Sequence, residues 1–240
     1  MDEPGPALEV TTRTSLRRKR ERGHHDRAVI HAILDEGLVC HVGFSAEGTT
    51  TVLPFAYGRL GDTLYLHGAA ANHMLRVLAD GGAASITVTL VDGIVLARSA
   101  FHHSMNYRSV VLFGTAHRVE DPDEKRRALD TIVDHVTPGR SADARPPTTN
   151  EMRSTTVIGF PIEEGSAKIR TGGPIDDDED LDLAIWAGQI PLVLAPGRPV
   201  PDEGLASSVS VPDYVAGYRR PGSPPAAVPP GREPVAGPGG

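Results

Sequence analysis

The sequence is poor in the residues that staple or anchor a chain. Cys40 is its only cysteine among 240 residues, so no intramolecular disulfide can form, which fits a reducing compartment. No apolar run approaches the ~20 residues that a membrane helix needs. The start, MDEPGPALEV, has no basic stretch leading into an apolar one, so no signal peptide is read and the expected location is cytoplasmic. Basic residues are in deficit: 24 Lys and Arg stand against 31 Asp and Glu, a formal charge of −7. A mildly acidic chain is a poor general nucleic-acid binder, because phosphate contacts need clustered cations. Neither a nucleic acid nor a membrane is an expected partner. No Ser/His/Asp elbow, no GxGxxG after a strand, no P-loop and no Cys/His cluster at zinc spacing occurs. Without an acid–base set of its own, such a chain draws reactivity from a cofactor.

Glycine and proline are plentiful and crowd the ends. Three units are expected: residues 1–19 as a disordered or helical lead-in, 20–200 as the folded domain, and 206–240 as a disordered Pro/Gly-rich tail. A basic cluster, Arg17, Arg18, Lys19, Arg20 and Arg22, spans the end of the lead-in and the start of the domain. They form either a solvated face or a phosphate contact within a dimer.

Short strands dominate the middle. Ala28, Val29, Ala32 and Ile33 recur at helical spacing until Gly37. Strands are expected at 38–44, 50–57 and 63–67, then a short helix at 72–79. A strand at 84–91 meets Asp92-Gly93, read as a hairpin turn into a further strand at 94–100. A long strand covers 107–119. Asp121, Pro122 and Glu124 open a helix whose stripe is Ala128, Leu129, Ile132, Val133 and Val136. Strands at 155–162 and 167–170, an acidic loop at 176–180, a helical turn at 183–186 and a strand at 190–194 complete the domain. Six to eight hairpin-linked antiparallel strands with three outer helices suit a small closed barrel, which removes exposed edges.

Three segments hold candidate chemistry. In LYLHGAAANHMLRVL, residues 64–78, a strand ends at His67 and small residues lead into a helix starting near Asn72. His73 and Arg76 then stand in its first turns, where free N–H groups attract phosphate. An ordinary strand–turn–helix reads the same way. In FHHSMNYRSVVLFG, residues 101–114, Tyr107, Arg108 and Ser109 mark the passage from polar to apolar. Alternation sets Arg108 opposite Tyr107 and Ser109 and beside Val110 and Leu112. Its partner is a cofactor oxygen or a carboxylate, with Asp62, Asp92 and Glu120 as candidates. His102 and His103 are adjacent and point opposite ways on an extended chain, so they make no metal pair. In AIWAGQIPL, residues 184–192, Trp186 is the only tryptophan, and core or dimer packing is its commonest use.

Together these pieces resemble the pyridoxamine 5′-phosphate oxidase-like, flavin-binding split-barrel family, near its nitroimidazole-resistance branch. Ile33 to Gly37, Leu64 to Gly68, Val88-Thr89 with Asp92-Gly93, and Asn106 to Val111 with Phe113-Gly114 carry the likeness. Lys168 to Arg170 and Trp186 to Gly188 with Pro191-Leu192 complete it, over about residues 20 to 195. The resemblance implies a mainly β fold with peripheral helices, a six-stranded Greek-key split barrel that is homodimeric, with FMN at the dimer interface. It implies His67 as a candidate catalytic group close to the flavin. The cofactor contacts it implies are His67, Asn72, His73, Arg76, Tyr107, Arg108, Ser109, Lys168 and Trp186. The implied activity is an oxidoreductase passing hydride or electrons to a small organic substrate, nitroaromatics included, with NADH or NADPH as donor. A haem- or deazaflavin-binding split barrel is the alternative, with His67 or His73 as haem ligand, followed by a non-catalytic flavin-binding protein.

Overall fold

The computed structural model describes residues 5–220. Its strands are β1 (Gly23–His24), β2 (Val39–Ala46), β3 (Thr49–Ala56), β4 (Gly58–Leu60), β5 (Thr63–Ala69), β6 (Ala83–Leu96), β7 (Ser104–Thr115), β8 (His117–Arg118), β9 (Thr155–Pro161), β10 (Glu164–Arg170) and β11 (Gly188–Pro191). Its α-helices are α1 (Arg27–Glu36), α2 (His73–Ala79), α3 (Pro122–Val136), α4 (Arg140–Asp143), α5 (Thr149–Ser154) and α6 (Asp213–Ala216). The larger sheet runs β1-β10-β7-β6-β2-β3, with β11 added to the far half of β6. The smaller sheet runs β4-β5-β9-β8. The fold is mainly β, a split barrel, but its strands form two separately hydrogen-bonded sheets rather than the single six-stranded ring expected.

The two sheets bury a shared core. Cys40, Val42, Ile86, Val88, Val110 and Leu112 face Leu64, Leu66, Ile158 and Phe160, with α1 and α2 closing the ends. Burial pushes the Cys40 thiol up to about 12, so it is an inert core residue. Helix α1 turns Ile30, Ile33 and Leu34 inward and leaves Ala28 and Ala32 exposed, because the larger side chains bury more apolar area. A second cluster lies on the outer side of the smaller sheet, where Tyr65 and Val157 pack on Ala128, Leu129 and Ile132 of α3. Gly58 lets β4 approach α3 closely: a Cβ there would come within 2.8 Å of the Ile132 backbone. The expected stripe of α3 is therefore narrower than read, since Val133 and Val136 stay exposed.

Asp92-Gly93 is not a hairpin turn. Strand β6 continues through it with a bulge between Val91 and Gly93, while β7 pairs along both halves. The reversal falls at residues 97–103, around a 3-10 turn at Ala100–His102. The extra residue aims Asp92 at a partner on β7. The expected helical turn at 183–186 is loop.

Both ends are more ordered than their composition suggests. In the lead-in, Leu8 and Thr14 are buried, and Arg13 and Thr11 bond Glu164 of β10. At the other end, Tyr214 bonds Asp143, Tyr218 donates to the Val136 carbonyl at 2.8 Å, and Arg220 is only 7% exposed. The Arg220 guanidinium donates to the carbonyls of Asp35 (2.7 Å), Glu36 (2.9 Å), Gly37 (3.1 Å) and His135. Residues 213–220 thus depart from the expected structureless tail, while 206–211 are exposed and without helix or strand. A single cation that satisfies several helix-end carbonyls can hold a segment with no apolar periodicity. Residues 1–4 and 221–240, the remainder of the expected ends, lie outside the described residues.

Two stability predictions follow from this strap. Arg220→Ala should cost about 1.5–3 kcal/mol, the scale of charged hydrogen bonds, read by urea denaturation. Unchanged stability would show that the strap is not held by this residue. His135 is pulled below the ordinary histidine value of 6.5, first by burial, against the raising effect of its bond to the Gly37 carbonyl, with the charge of Arg220 adding to the depression. The neutral ring is therefore favoured in the fold. Its contribution is complete above about 6.5 and is lost as pH falls through the lower folded value. Melting temperature should drop between pH 7 and 5, and His135→Gln should flatten part of that slope.

Candidate functional site

Strand alternation distributes the candidate residues over distinct surfaces. In β7, Tyr107 pairs with Val91 and Arg170, and Ser109 with Thr89 and Lys168. Directly paired residues share a face, so Tyr107, Ser109, Lys168 and Arg170 stand together on the outer face of the larger sheet. Tyr107, Ser109 and Lys168 are half-buried there, and Ser109 Oγ donates to the Lys168 carbonyl at 3.4 Å. Around them the face stays open, with His41, Val52, Thr89 and Val91 exposed.

Arg108 points the opposite way, beside Val110 and Leu112, as its position in the strand requires. Its side chain is 28% exposed and forks between two carboxylates. Nε and Nη2 donate to Asp92 at 2.9 and 2.7 Å, and Nη1 and Nη2 to Glu36 at 2.5 and 2.8 Å. The hydrogen bonds it donates to Asp92 and Glu36 raise its pKa well above the ordinary guanidinium value. Of the two kinds of partner weighed for Arg108, the structure displays the carboxylate. Asp92 is reached through the bulge, and Glu36 comes from the last turn of α1. A cleft of about 480 Å³ opens beside this pair, lined by Leu90, Leu192, Val193 and Leu194.

His67 occupies a third surface. It lies across from Val157, on the side of β5 that faces α3. It lines a cleft of about 290 Å³ with Leu129, Val133, Ala144 and Pro147 as apolar wall and Arg126 and Arg145 among its polar residues. Both arginines are engaged, Arg126 with Asp130 and Arg145 with Glu151. His67 Nδ1 is buried and has no hydrogen-bond partner among the described residues. Burial lowers its pKa, which favours the neutral ring. A buried ring nitrogen without a partner is costly, so a ligand-binding role has a physical motive here. Sequence reading missed this cleft's second wall, α4 and α5. Its signal was present: Thr148 and Glu151 form a reciprocal capping box that starts α5.

Helix α2 does not join His67. Asn72 caps it, its side chain accepting from Leu75 N at 3.1 Å. The helix spans seven residues, with Met74, Leu75 and Leu78 turned into the barrel core. His73 and Arg76 are exposed, and His73 meets Phe44 edge-on at 6.3 Å. Trp186 is 66% exposed, just before β11. The structure thus brings Tyr107, Ser109 and Lys168 together, and separates them from His67 and from Asn72, His73 and Arg76 within one chain.

A family model described as pyridoxamine 5′-phosphate oxidase matches residues 26–169. The chain is 35% identical to the flavocytochrome Anf3 from Azotobacter vinelandii, with a TM-score of 0.82 over 88% of this chain and 98% of that one. It is also 35% identical to the FAD- and haem-binding protein from Mycobacterium smegmatis, TM-score 0.79, over 83% of this chain and 98% of that one. A Bacteroides thetaiotaomicron protein assigned to 5-nitroimidazole antibiotic resistance is 29% identical, TM-score 0.52, over 61% of this chain and 86% of that one. A comparison with curated proteins finds no match.

Arg108 yields a direct prediction. Arg108→Ala leaves the Glu36 and Asp92 carboxylates facing each other, and should destabilise the fold by about 1–3 kcal/mol. Adding Glu36→Gln and Asp92→Asn should recover part of that loss. Equilibrium unfolding of the single and triple variants measures both. A single variant as stable as the parent would rule out a structural role for the pair.

Proposed function

The chain belongs to the pyridoxamine 5′-phosphate oxidase-like split-barrel family, and on that premise we propose that it is a flavin-binding redox protein that also holds a haem. Its match to the two 35%-identical structures covers more of the chain than residues 26–169 contain. The likeness therefore takes in segments outside the family model, and both of those structures are described as flavocytochrome or FAD- and haem-binding.

The observation that carries the haem part is His67. An imidazole with an unpartnered buried nitrogen, its neutral form favoured by burial and its cleft walled in part by apolar residues, would suit a ligand to the haem iron. Arg126 and Arg145 supply donors suited to carboxylates if they exchange their present partners. When bound, the haem supplies one-electron chemistry. His67 would hold the group, Leu129, Val133 and Pro147 would exclude water, and Arg126 and Arg145 would meet its carboxylates.

The flavin is assigned to the open outer face at Tyr107, Ser109 and Lys168, covered by a second copy of the chain in a homodimer. Half-exposed polar groups beside exposed Val91 and Ile94 suit a site shared between two copies. FAD is favoured over the FMN expected from sequence, because one relative at 35% identity is described as FAD- and haem-binding. NADH or NADPH is the proposed electron donor, and a small organic molecule the acceptor. A second reading, an FMN-dependent nitroaromatic oxidoreductase, rests on the 29%-identical nitroimidazole-resistance relative.

Native mass spectrometry with the visible spectrum of freshly purified protein tests these readings together. The expected result is a dimer carrying FAD, with a Soret band beside the flavin bands. His67→Ala should abolish the Soret band and keep the flavin and the fold. A Soret band that survives His67→Ala overturns the ligand assignment, and flavin alone in haem-supplemented protein favours the second reading.

A further inference from the structure

A cationic cleft of about 280 Å³ lies at the end of β10, lined by Lys19, Arg22, His102, His103 and Arg170, with Phe101 at its rim. Arg170 is 5% exposed. Its guanidinium is held by neutral groups only: the Asn106 side chain and the carbonyls of Gly172 and Gly173, the latter two at 2.9 Å. Among the described residues, no carboxylate lies within 4 Å of Lys19, Arg22 or Arg170 to form a salt bridge. Burial, and then the charge of Arg22, hold the Arg170 guanidinium below its ordinary value. Lys19 adopts a left-handed backbone, φ 55° and ψ 53°, where it caps a 3-10 turn at Arg20–Arg22. A non-glycine residue there is strained by about 1–2 kcal/mol. Asp177, largely exposed, lies 3.5 Å from His102 Nε2.

Three unneutralised cations around one small cavity, one of them buried, need an anion. The cavity's position indicates which. Arg170 pairs with Tyr107 and stands two residues beyond Lys168 on the same strand, about 7 Å along. The cleft therefore adjoins the outer face assigned to the flavin. Phe101, 90% exposed, offers an uncovered aromatic ring at its rim, a stacking surface for a purine.

We propose that this cleft takes the diphosphate of a dinucleotide cofactor, with Lys19, Arg22 and Arg170 on the phosphate oxygens and Phe101 under the adenine. The assignment rests on the flavin reading above and adds a reason for FAD over FMN: a mononucleotide has no second phosphate to place there.

The test titrates FAD, FMN and inorganic pyrophosphate into the full chain and into a Lys19→Gln/Arg22→Gln variant, whose changes lie at a surface turn. FAD affinity should fall at least about tenfold, the loss expected for charge-assisted contacts, and FMN affinity by less, because FMN brings only one of the two phosphates to the cleft. Pyrophosphate should compete with FAD, and Phe101→Ala should weaken FAD without affecting FMN or pyrophosphate. Equal changes for the two flavins, or none, overturn the proposal. So does a variant that dissociates to monomers with pyrophosphate binding intact, since the cations would then face an acidic segment of a second copy. If the parent binds neither flavin but binds pyrophosphate through Lys19 and Arg22, the flavin reading fails and the diphosphate site stands.

Discussion

The last turn of α1 is the constraint on which the rest of the molecule hangs. A helix end leaves carbonyls without partners, and here they are met from three directions. Tyr57, at the junction of β3 and β4, donates to the Leu34 and Gly37 carbonyls at 2.5 and 3.1 Å. His135 of α3 reaches Gly37 O at 2.6 Å. Arg220 closes the remaining carbonyls of Asp35 and Glu36. Gly37 itself is required by space: a Cβ would fall 2.4 Å from Val88 and 2.8 Å from the Tyr57 hydroxyl. One turn thus joins both sheets, the α3 layer and the C-terminal strap.

The same turn carries Glu36 into the ion pair with Arg108 and Asp92. A guanidinium between two carboxylates leaves one net negative charge in a partly exposed setting, so the cluster's value lies in fixing geometry more than in net stabilisation. It holds the bulge of β6 against β7. The bulge in turn lets β11 lie along the far half of β6, where the Ile190 carbonyl would be 3.1 Å from a Cβ at Gly93. Gln189 of β11 then accepts from Asn106 at 2.7 Å, and Asn106 accepts from Arg170. A chain of polar contacts therefore runs from the α1 turn to the strand end that bears the cationic cleft.

Much of this was legible where one residue type has one local use. Asp121 followed by Pro122 starts α3 as read, and Asn72 caps the helix that follows His67. Period-two alternation alone placed Arg108 opposite Tyr107 and Ser109, and named Asp92 among its candidate partners. What escaped depends on distant partners. Asp92-Gly93 has turn chemistry, but continuous pairing with β7 overrides it. Arg220 lies in a stretch without hydrophobic periodicity, and only carbonyls 183 to 185 residues away explain its burial. Glu36 was not among the acids considered for Arg108, because its position on a helix end becomes relevant only once α1 packs near β6 and β7. The capping box at Thr148 and Glu151 was readable, yet it opens a helix of only six residues, too short for a periodic signal.

Strand β5 shows why a single candidate segment divides into two roles. Its side chains alternate between the barrel core, with Leu64 and Leu66, and the α3 side, with Tyr65 and His67. Helix α2, which follows it, must fold back over the barrel side because Met74, Leu75 and Leu78 are its apolar face. A histidine and a helix start only a few residues apart in sequence are thereby turned to opposite sides of one sheet. Proximity along the chain suggested a single phosphate-and-flavin site there. Alternation instead leaves His67 in a cleft beside α3, where burial lowers its pKa and favours the neutral ring, the form in which a histidine ligates a metal. The polar face suited to a flavin lies on the other sheet. The two surfaces are thus separate within one chain, and under the function proposed above each would take its own redox group without competing with the other.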